Sequence, residues 1–226
     1  MRYDRLEKLI SKEKLNILKS KTIAVFGLGG VGSYAFEAIV RSGVSKVIIC
    51  DFDIVDITNI NRQLIAYEST LGSLKTDVAS KRAKDINPYV EIIKYSIKAD
   101  KDSIKDILDL KPDFVVDAID DVLAKTELIT QATNKSIKIV SSMGFANKFH
   151  PEMIEIAKLS KTTVCPLAKT MRKRLKEAGV TLDFPVVYST EKPTKSKDNI
   201  LGSTAYTPSV AGLIIASYVI NQIVGV

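Results

Sequence analysis

The stretch "VFGLGGVGSY", residues 25–34, places Gly27, Gly29, Gly30 and Gly32 between an apolar run and a helical pattern. Glycines at that spacing suit the holding of a phosphate. Gly27 permits a tight turn, Gly29 lets the backbone approach the anion, and Gly32 lets the next helix pack on the strand. The free N–H groups of the helix start then face the phosphate. Asp51 closes the following apolar run, where a carboxylate can bond ribose hydroxyls. NAD and ATP both carry a ribose, so these residues point to a nucleotide and leave its identity open.

The next block, "DFDIVDITNINRQL" (residues 51–64), narrows the choice. A dehydrogenase has no use for Asn59, Asn61, Arg62 and Gln63 just after the ribose acid. Arg62 offers a rigid fork of donors suited to phosphate, and Asn59 adds neutral hydrogen bonds. Asp53 and Gln63 complete the candidate nucleotide contacts. The bland alternative is a polar surface loop with a helix cap. Lys75, near the start of the next helix, can point back at phosphates as a compact charge or sit in solvent. In "VVDAIDD" (115–121), Asp117, Asp120 and Asp121 end a strand where doubly wound sheets bind ligands. Asp120 is the candidate Mg²⁺ ligand, since that ion takes one or two carboxylates plus phosphate oxygens; Asp120 or Asp121 could equally cap the next helix. Together these groups suit a triphosphate attacked at its α-phosphorus, with dispersed cations stabilising the transferring group.

Elements must position these residues. Residues 4–20 read as an amphipathic helical lead-in, with Leu6, Leu9 and Ile10 on one face. Strands are expected at 22–27, 46–51, 90–96, 113–120 and 138–144. Helices are expected from the glycine turn to Gly43, over 73–86, 103–110 and 122–134. Alternation of this kind implies parallel βαβ units, hence an α/β fold: a Rossmann-like doubly wound sheet, mainly parallel. After residue 144 the pattern loosens into a C-terminal α+β extension, with strands near 153–160 and 184–190 and a basic helix over 166–178. Residues 191–203 read as a polar, mobile loop.

The totals agree with one domain. The chain has 226 residues, 46% of them hydrophobic, and a formal net charge of +7. That charge favours a polyanionic partner. Cys50 and Cys165 are too few for a disulfide framework or a four-cysteine zinc site, and a reducing cytoplasm is the expected setting. The C-terminal run "SVAGLIIASYVINQIVGV" reaches spanning length, but Asn221 and Gln222 interrupt it. It reads as a buried core or dimer helix, with no membrane expected.

The blocks "GLGGVGSY", "DFDIVDITNINRQ", "LGSLKTDVA" and "DAIDD" fall in order and resemble the ubiquitin-activating-enzyme-like (HesA/MoeB/ThiF) adenylating family. The resemblance implies a single adenylating domain, with residues 1–144 as nucleotide-binding core and 145–226 as a substrate-binding and dimerisation extension. It implies adenylation of a carboxylate with MgATP, Asp51 on the ribose, Asn59, Arg62 and Lys75 on the triphosphate, and Asp120 on Mg²⁺. "RYDRL" resembles the family's arginine pair, in which Arg5 would reach the partner's ATP across a homodimer. "SSMGFANKFHP", "VVYSTEKP" and "GSTAYTPSVAGLIIASYVI" look like the branch that cyclises threonylcarbamoyl-adenosine in tRNA.

That branch implies tRNA carrying threonylcarbamoyl-adenosine as substrate, with a sulfur-transfer partner protein as a second candidate partner. Lys169, Arg172, Lys173 and Lys176 share one helical face, a basic face able to hold tRNA phosphates. Phe145, Ala146 and His150 depart from the branch's pattern, which touches the substrate pocket only. Cys165, beside a proline and basic residues, could be an exposed nucleophile, but an intramolecular ring closure needs none, and a structural role is expected. Cys50 reads as core. His150 has nothing in the sequence to orient it as a base. Two other classes compete: activation of a ubiquitin-like sulfur-carrier protein, against which the missing zinc cysteines count, and a dinucleotide-binding oxidoreductase or nucleotide sensor.

Overall fold

The computed structural model describes residues 2–194 and 201–226. Short runs rich in Val and Ile form the strands β1 (Thr22–Phe26), β2 (Lys46–Cys50), β3 (Glu91–Tyr95), β4 (Phe114–Asp117), β5 (Lys138–Ser142), β6 (Ile154–Lys158) and β7 (Pro185–Ser189). They make one sheet in the order β3-β2-β1-β4-β5-β7-β6. All neighbours pair in parallel except β6, which runs antiparallel to β7 at the edge. The two strands after residue 144 therefore extend the same sheet. The helices are α1 (Asp4–Ile10), α2 (Lys12–Lys19), α3 (Gly32–Arg41), α4 (Lys75–Ile86), α5 (Lys101–Asp109), α6 (Val122–Asn134), α7 (Pro166–Glu177) and α8 (Tyr206–Val224).

Alternation along β1 assigns its side chains to two cores. Ile23 and Val25 join a cluster with Phe36, Ile39, Val78 and Ile215, from α3, α4 and α8. Ala24 and Phe26 face a second cluster with Ile104, Leu128, Met171 and Leu175, from α5, α6 and α7. Both faces of the central strands are buried, as parallel sheets require. From β1 the chain moves outward to β2 and β3, then returns to β4 on the other side. The carboxyl ends of β1 and β4 thus form a topological switch point, where open α/β sheets bind ligands.

Two expectations are corrected. The N-terminal lead-in is broken into α1 and α2 at Ser11, whose φ of +81° no helix accommodates. The strand expected over 113–120 ends at Asp117: Ala118 N–H still bonds Phe26 O of β1 at 2.8 Å, and the Asp117 carboxylate then accepts Ile119 N–H at 3.1 Å as the chain turns away. Part of the loop read as mobile, residues 195–200, lies outside the described residues.

Helix α8 is long and apolar enough to span a membrane by composition. Here Ala211, Ile215 and Val219 are fully buried in the core it shares with α3. Gly212 permits that approach, since a Cβ there would overlap the Val31 carbonyl oxygen and lie 3.0 Å from Ala35 N. Gly212→Ala should therefore lower stability by about 1–3 kcal/mol, the cost of overpacking, read as a shifted denaturant midpoint with unchanged slope. An unchanged midpoint would mean the helices separate freely.

Candidate active site

A cleft of about 850 Å³ opens at the carboxyl ends of the central strands, lined by the turns after β1, β2, β4 and β5. Gly27, Gly29 and Gly30 form one wall. Gly27 has φ +88°, and a Cβ on it would sit 2.6 Å from Ala118 O, so only glycine fits. A Cβ on Gly29 would meet nothing closer than Gln63 Nε2 at 4.0 Å. It would project into space left for a ligand. Gly32 does not line the cleft; a Cβ there would overlap the Gly27 carbonyl, so its role is to seat α3 against the turn.

Asp51 is buried at the base of this wall. One carboxylate oxygen accepts Leu28 N–H at 2.6 Å and the other accepts Asp53 N–H at 2.8 Å. Burial pushes its carboxyl up, and those two N–H groups partly offset the shift. Asp51 thus braces the glycine turn while facing the cleft. Lys75 opens α4 and is buried. Its Nζ reaches Asp53 at 2.7 Å, so it points into the site and not into solvent.

A 3-10 turn over Ile57–Asn59, capped by Asp56 whose carboxylate accepts Thr58 N–H at 2.8 Å, leads into a turn over 59–63 in which Asn59 O accepts Arg62 and Gln63 N–H. The turn buries Asn59 and Gln63 and leaves Arg62 at the cleft edge. Arg62 donates to Thr58 O at 2.7 Å and Asn61 Oδ1 at 2.9 Å. Gln63 Oε1 is buried without a partner among the described residues. The Gln63 N–H₂, whose Nε2 lies 4.0 Å from where a Gly29 Cβ would sit, is the donor that faces this wall, and a donor beside a glycine wall fits a polyphosphate ligand. Asn61 donates to Ser203 O at 3.0 Å, which joins this block to the 201–203 segment of the cleft lining.

The aspartates of "VVDAIDD" separate into three roles. Asp121 caps α6, accepting Leu123 and Ala124 N–H at 2.8 and 3.0 Å, so the capping alternative belongs to it. Those bonds hold its carboxyl below the usual range. Asp120 lines the cleft and is exposed. No cluster of three or more His, Cys, Asp or Glu forms among the described residues. A divalent ion at Asp120 would therefore complete its shell with phosphate oxygens, as Mg²⁺ does. Asp117 is fully buried and pairs with Lys125 at 2.7 Å.

Three groups missed in the sequence bear on the site. Lys125 donates to Asp117, to Ser141 Oγ at 3.2 Å and to Ser142 O at 3.0 Å, tying β4, α6 and β5 beneath the cleft. Lys148 is buried and lines the cleft, yet reads as an ordinary surface lysine in "NKFHP". Pro208 of α8 closes on Gly30, with its Cβ 3.2 Å from where a Gly30 Cβ would lie.

Other expected residues lie outside. Arg5 is exposed on α1 and does not line the cleft. Lys169, Lys173 and Lys176 are exposed on α7, whereas Arg172 turns back to bond Thr162 O at 3.0 Å and its hydroxyl. The four-residue basic face is corrected to three, because the guanidinium is tethered to the preceding loop. Cys165 is buried at the start of α7, in accord with the structural role expected of it and against the exposed-nucleophile alternative. Cys50 is also buried, with its thiol pushed up to about 12 by burial. His150 is exposed, its Nδ1 2.8 Å from Glu152.

Comparison with known proteins adds the following. The model of the ThiF family matches residues 3–226. The tRNA threonylcarbamoyladenosine dehydratase of Bacillus subtilis is 38% identical, over 98% of this chain and 94% of that protein. The protein of the same name from Haemophilus influenzae is 39% identical over 78% of this chain and 67% of its own length. The structure of the Escherichia coli tRNA N6-threonylcarbamoyladenosine dehydratase in complex with ATP superposes with a TM-score of 0.94 at 28% identity, covering 99% of this chain and 94% of that one. A structure of the same protein with AMP superposes equally well.

Proposed function

The chain belongs to the ThiF family, and from that premise we propose a reaction: ATP-dependent dehydration of threonylcarbamoyl-adenosine in tRNA, closing a ring on its activated carboxyl. The enzyme uses ATP, and its substrate is a tRNA. The observation that carries the reading is the cleft itself. It joins a glycine wall, Asp51, Arg62, Gln63 and Lys75 to a second wall from residues 142–148 and 201–203, roomy enough for a second substrate.

The chain's own groups divide the work as follows. Asp51 bonds the ribose, and Gly27, Gly29 and Gly30 admit the phosphates. Asn59, Arg62, Gln63 and Lys75 hold the triphosphate, with Lys75 kept in place by Asp53. Asp120 is assigned to Mg²⁺, which when bound neutralises phosphate charge. Arg62 and Lys75 favour attack by the substrate carboxylate on the α-phosphorus through the charge they place near it; the bond to the β-phosphate breaks and pyrophosphate leaves, giving the acyl-adenylate. The ureido group then displaces AMP within the same molecule, which explains why neither cysteine needs to be exposed.

Residues 1–144 supply the nucleotide half, and 145–226 the substrate and subunit contacts. In this reading the chain forms a homodimer in which Arg5, exposed on α1, completes the partner's cleft. Lys169, Lys173 and Lys176 are assigned to tRNA phosphates, and the reaction to the cytoplasm. Activation of a sulfur-carrier protein is the weaker reading.

AMP release separates the two. It should require tRNA bearing threonylcarbamoyl-adenosine and proceed without any carrier protein. Pyrophosphate exchange stimulated by a ubiquitin-like carrier, with none by tRNA, would reverse the assignment.

A further inference from the structure

The cleft contains one buried cation that the phosphate chemistry does not employ. Lys148 follows β5, whereas the phosphate-facing residues follow β1 and β2. Its side chain is about 1% exposed, and its Nζ lies 6.0 Å from the Phe145 ring centroid. An ammonium carries three donors, and the described residues supply one hydrogen-bond acceptor, Ser189 O at 3.2 Å. The buried Glu191 makes no ion pair with Lys148; its carboxylate accepts Phe149 N–H at 2.9 and 3.1 Å and His150 N–H at 2.9 Å.

The position is held firmly. Lys148 O accepts the Thr207 hydroxyl at 3.2 Å, and Asn147 exchanges two hydrogen bonds with Gly202, one from each backbone N–H. Burial pulls the ammonium below its ordinary range, with Cys165 and Glu191 opposing the shift only in part. The fold therefore fixes a poorly compensated cation on the wall of a ligand cleft. Such a charge is costly unless an anion joins it there.

We propose that Lys148 binds the carboxylate of the threonylcarbamoyl group and so distinguishes the modified nucleoside from plain adenosine. The inference rests on the dehydratase reading and adds the residue that reads the acyl half of the substrate. Two donors of the ammonium match the two oxygens of a carboxylate. Neutral adenosine offers no such group.

The test compares binding of an anticodon stem-loop carrying threonylcarbamoyl-adenosine with the same RNA carrying adenosine, in the presence of a non-hydrolysable ATP analogue. The wild type should prefer the modified RNA. Lys148→Met should lose about 10- to 100-fold of that preference, the effect of one charged hydrogen bond. Affinity for ATP and for the unmodified RNA should stay unchanged. Lys148→Gln keeps a donor without the charge and should fall between. A Met variant with the full wild-type preference would overturn the proposal. Should the Met variant fail to fold, a Gln variant with wild-type KM for modified tRNA would do the same. A wild type that shows no preference and releases no AMP would instead overturn the dehydratase reading, and this inference with it.

Discussion

Arg62→Ala should abolish AMP formation from ATP and modified tRNA while leaving the protein folded. Arg62 sits at the cleft edge, outside both cores, and among the described residues its side chain bonds only Thr58 O and Asn61 Oδ1. Its removal opens no cavity and strands no buried charge. The melting temperature should hold within about 2 °C, as for other surface changes. The rate should fall by about 10³-fold or more, the range for a donor aimed at transition-state charge or an arginine on a transferring phosphoryl group. Arg62→Lys should recover little, because a point charge does not reproduce the planar fork. A lowered melting temperature with an intact rate would make Arg62 a brace for the 59–63 turn and nothing more.

Lys125→Met should have the largest effect on stability. Asp117 and Lys125 are both fully buried, and the ammonium spans β4 and β5 through Asp117, Ser141 and Ser142. Removing the cation leaves a carboxylate in the core with Ser141 Oγ and Ile119 N–H as its remaining donors. Breaking a buried pair from one side costs about 3–5 kcal/mol. Replacing both, as Asp117→Leu with Lys125→Met, should recover much of that loss, since the pair's attraction is largely offset by its dehydration. Denaturant midpoints of the two single variants and the double variant give the coupling. Additive losses would mean that the two residues act independently. The double variant should still lose activity, because Ile119 N–H and Ser142 O position two stretches of the cleft.

The fold was legible where patterns are strong. Val- and Ile-rich runs marked the strands, and their alternation with helical segments implied the parallel sheet. Gly27, Gly29, Gly30, Asp51, Arg62, Gln63, Lys75 and Asp120 were singled out by residue type and spacing, and all of them line one cleft. What escaped depends on contacts between distant segments. Lys125 lies within an ordinary helical stretch, and only the adjacency of β4 and β5 brings it to Asp117. Lys148 follows a polar asparagine, and its burial comes from segments 40 to 60 residues downstream that close over it. Ser11 breaks a helix by a positive φ with no glycine to announce it. Arg172 keeps its helical register but bends to Thr162, a choice that helical periodicity does not reveal. Asp120 and Asp121 were indistinguishable as caps until the backbone N–H groups of α6 pointed at one of them.

The central claim is that nucleotide chemistry in this cleft removes one water from a modified adenosine. Nucleoside analysis by mass spectrometry, on tRNA carrying threonylcarbamoyl-adenosine incubated with the protein and MgATP, tests it most directly. The account predicts that the modified nucleoside loses the mass of one water, with one AMP formed per nucleoside converted and no conversion without ATP. An unaltered nucleoside in the presence of protein that binds both ATP and the tRNA would contradict it.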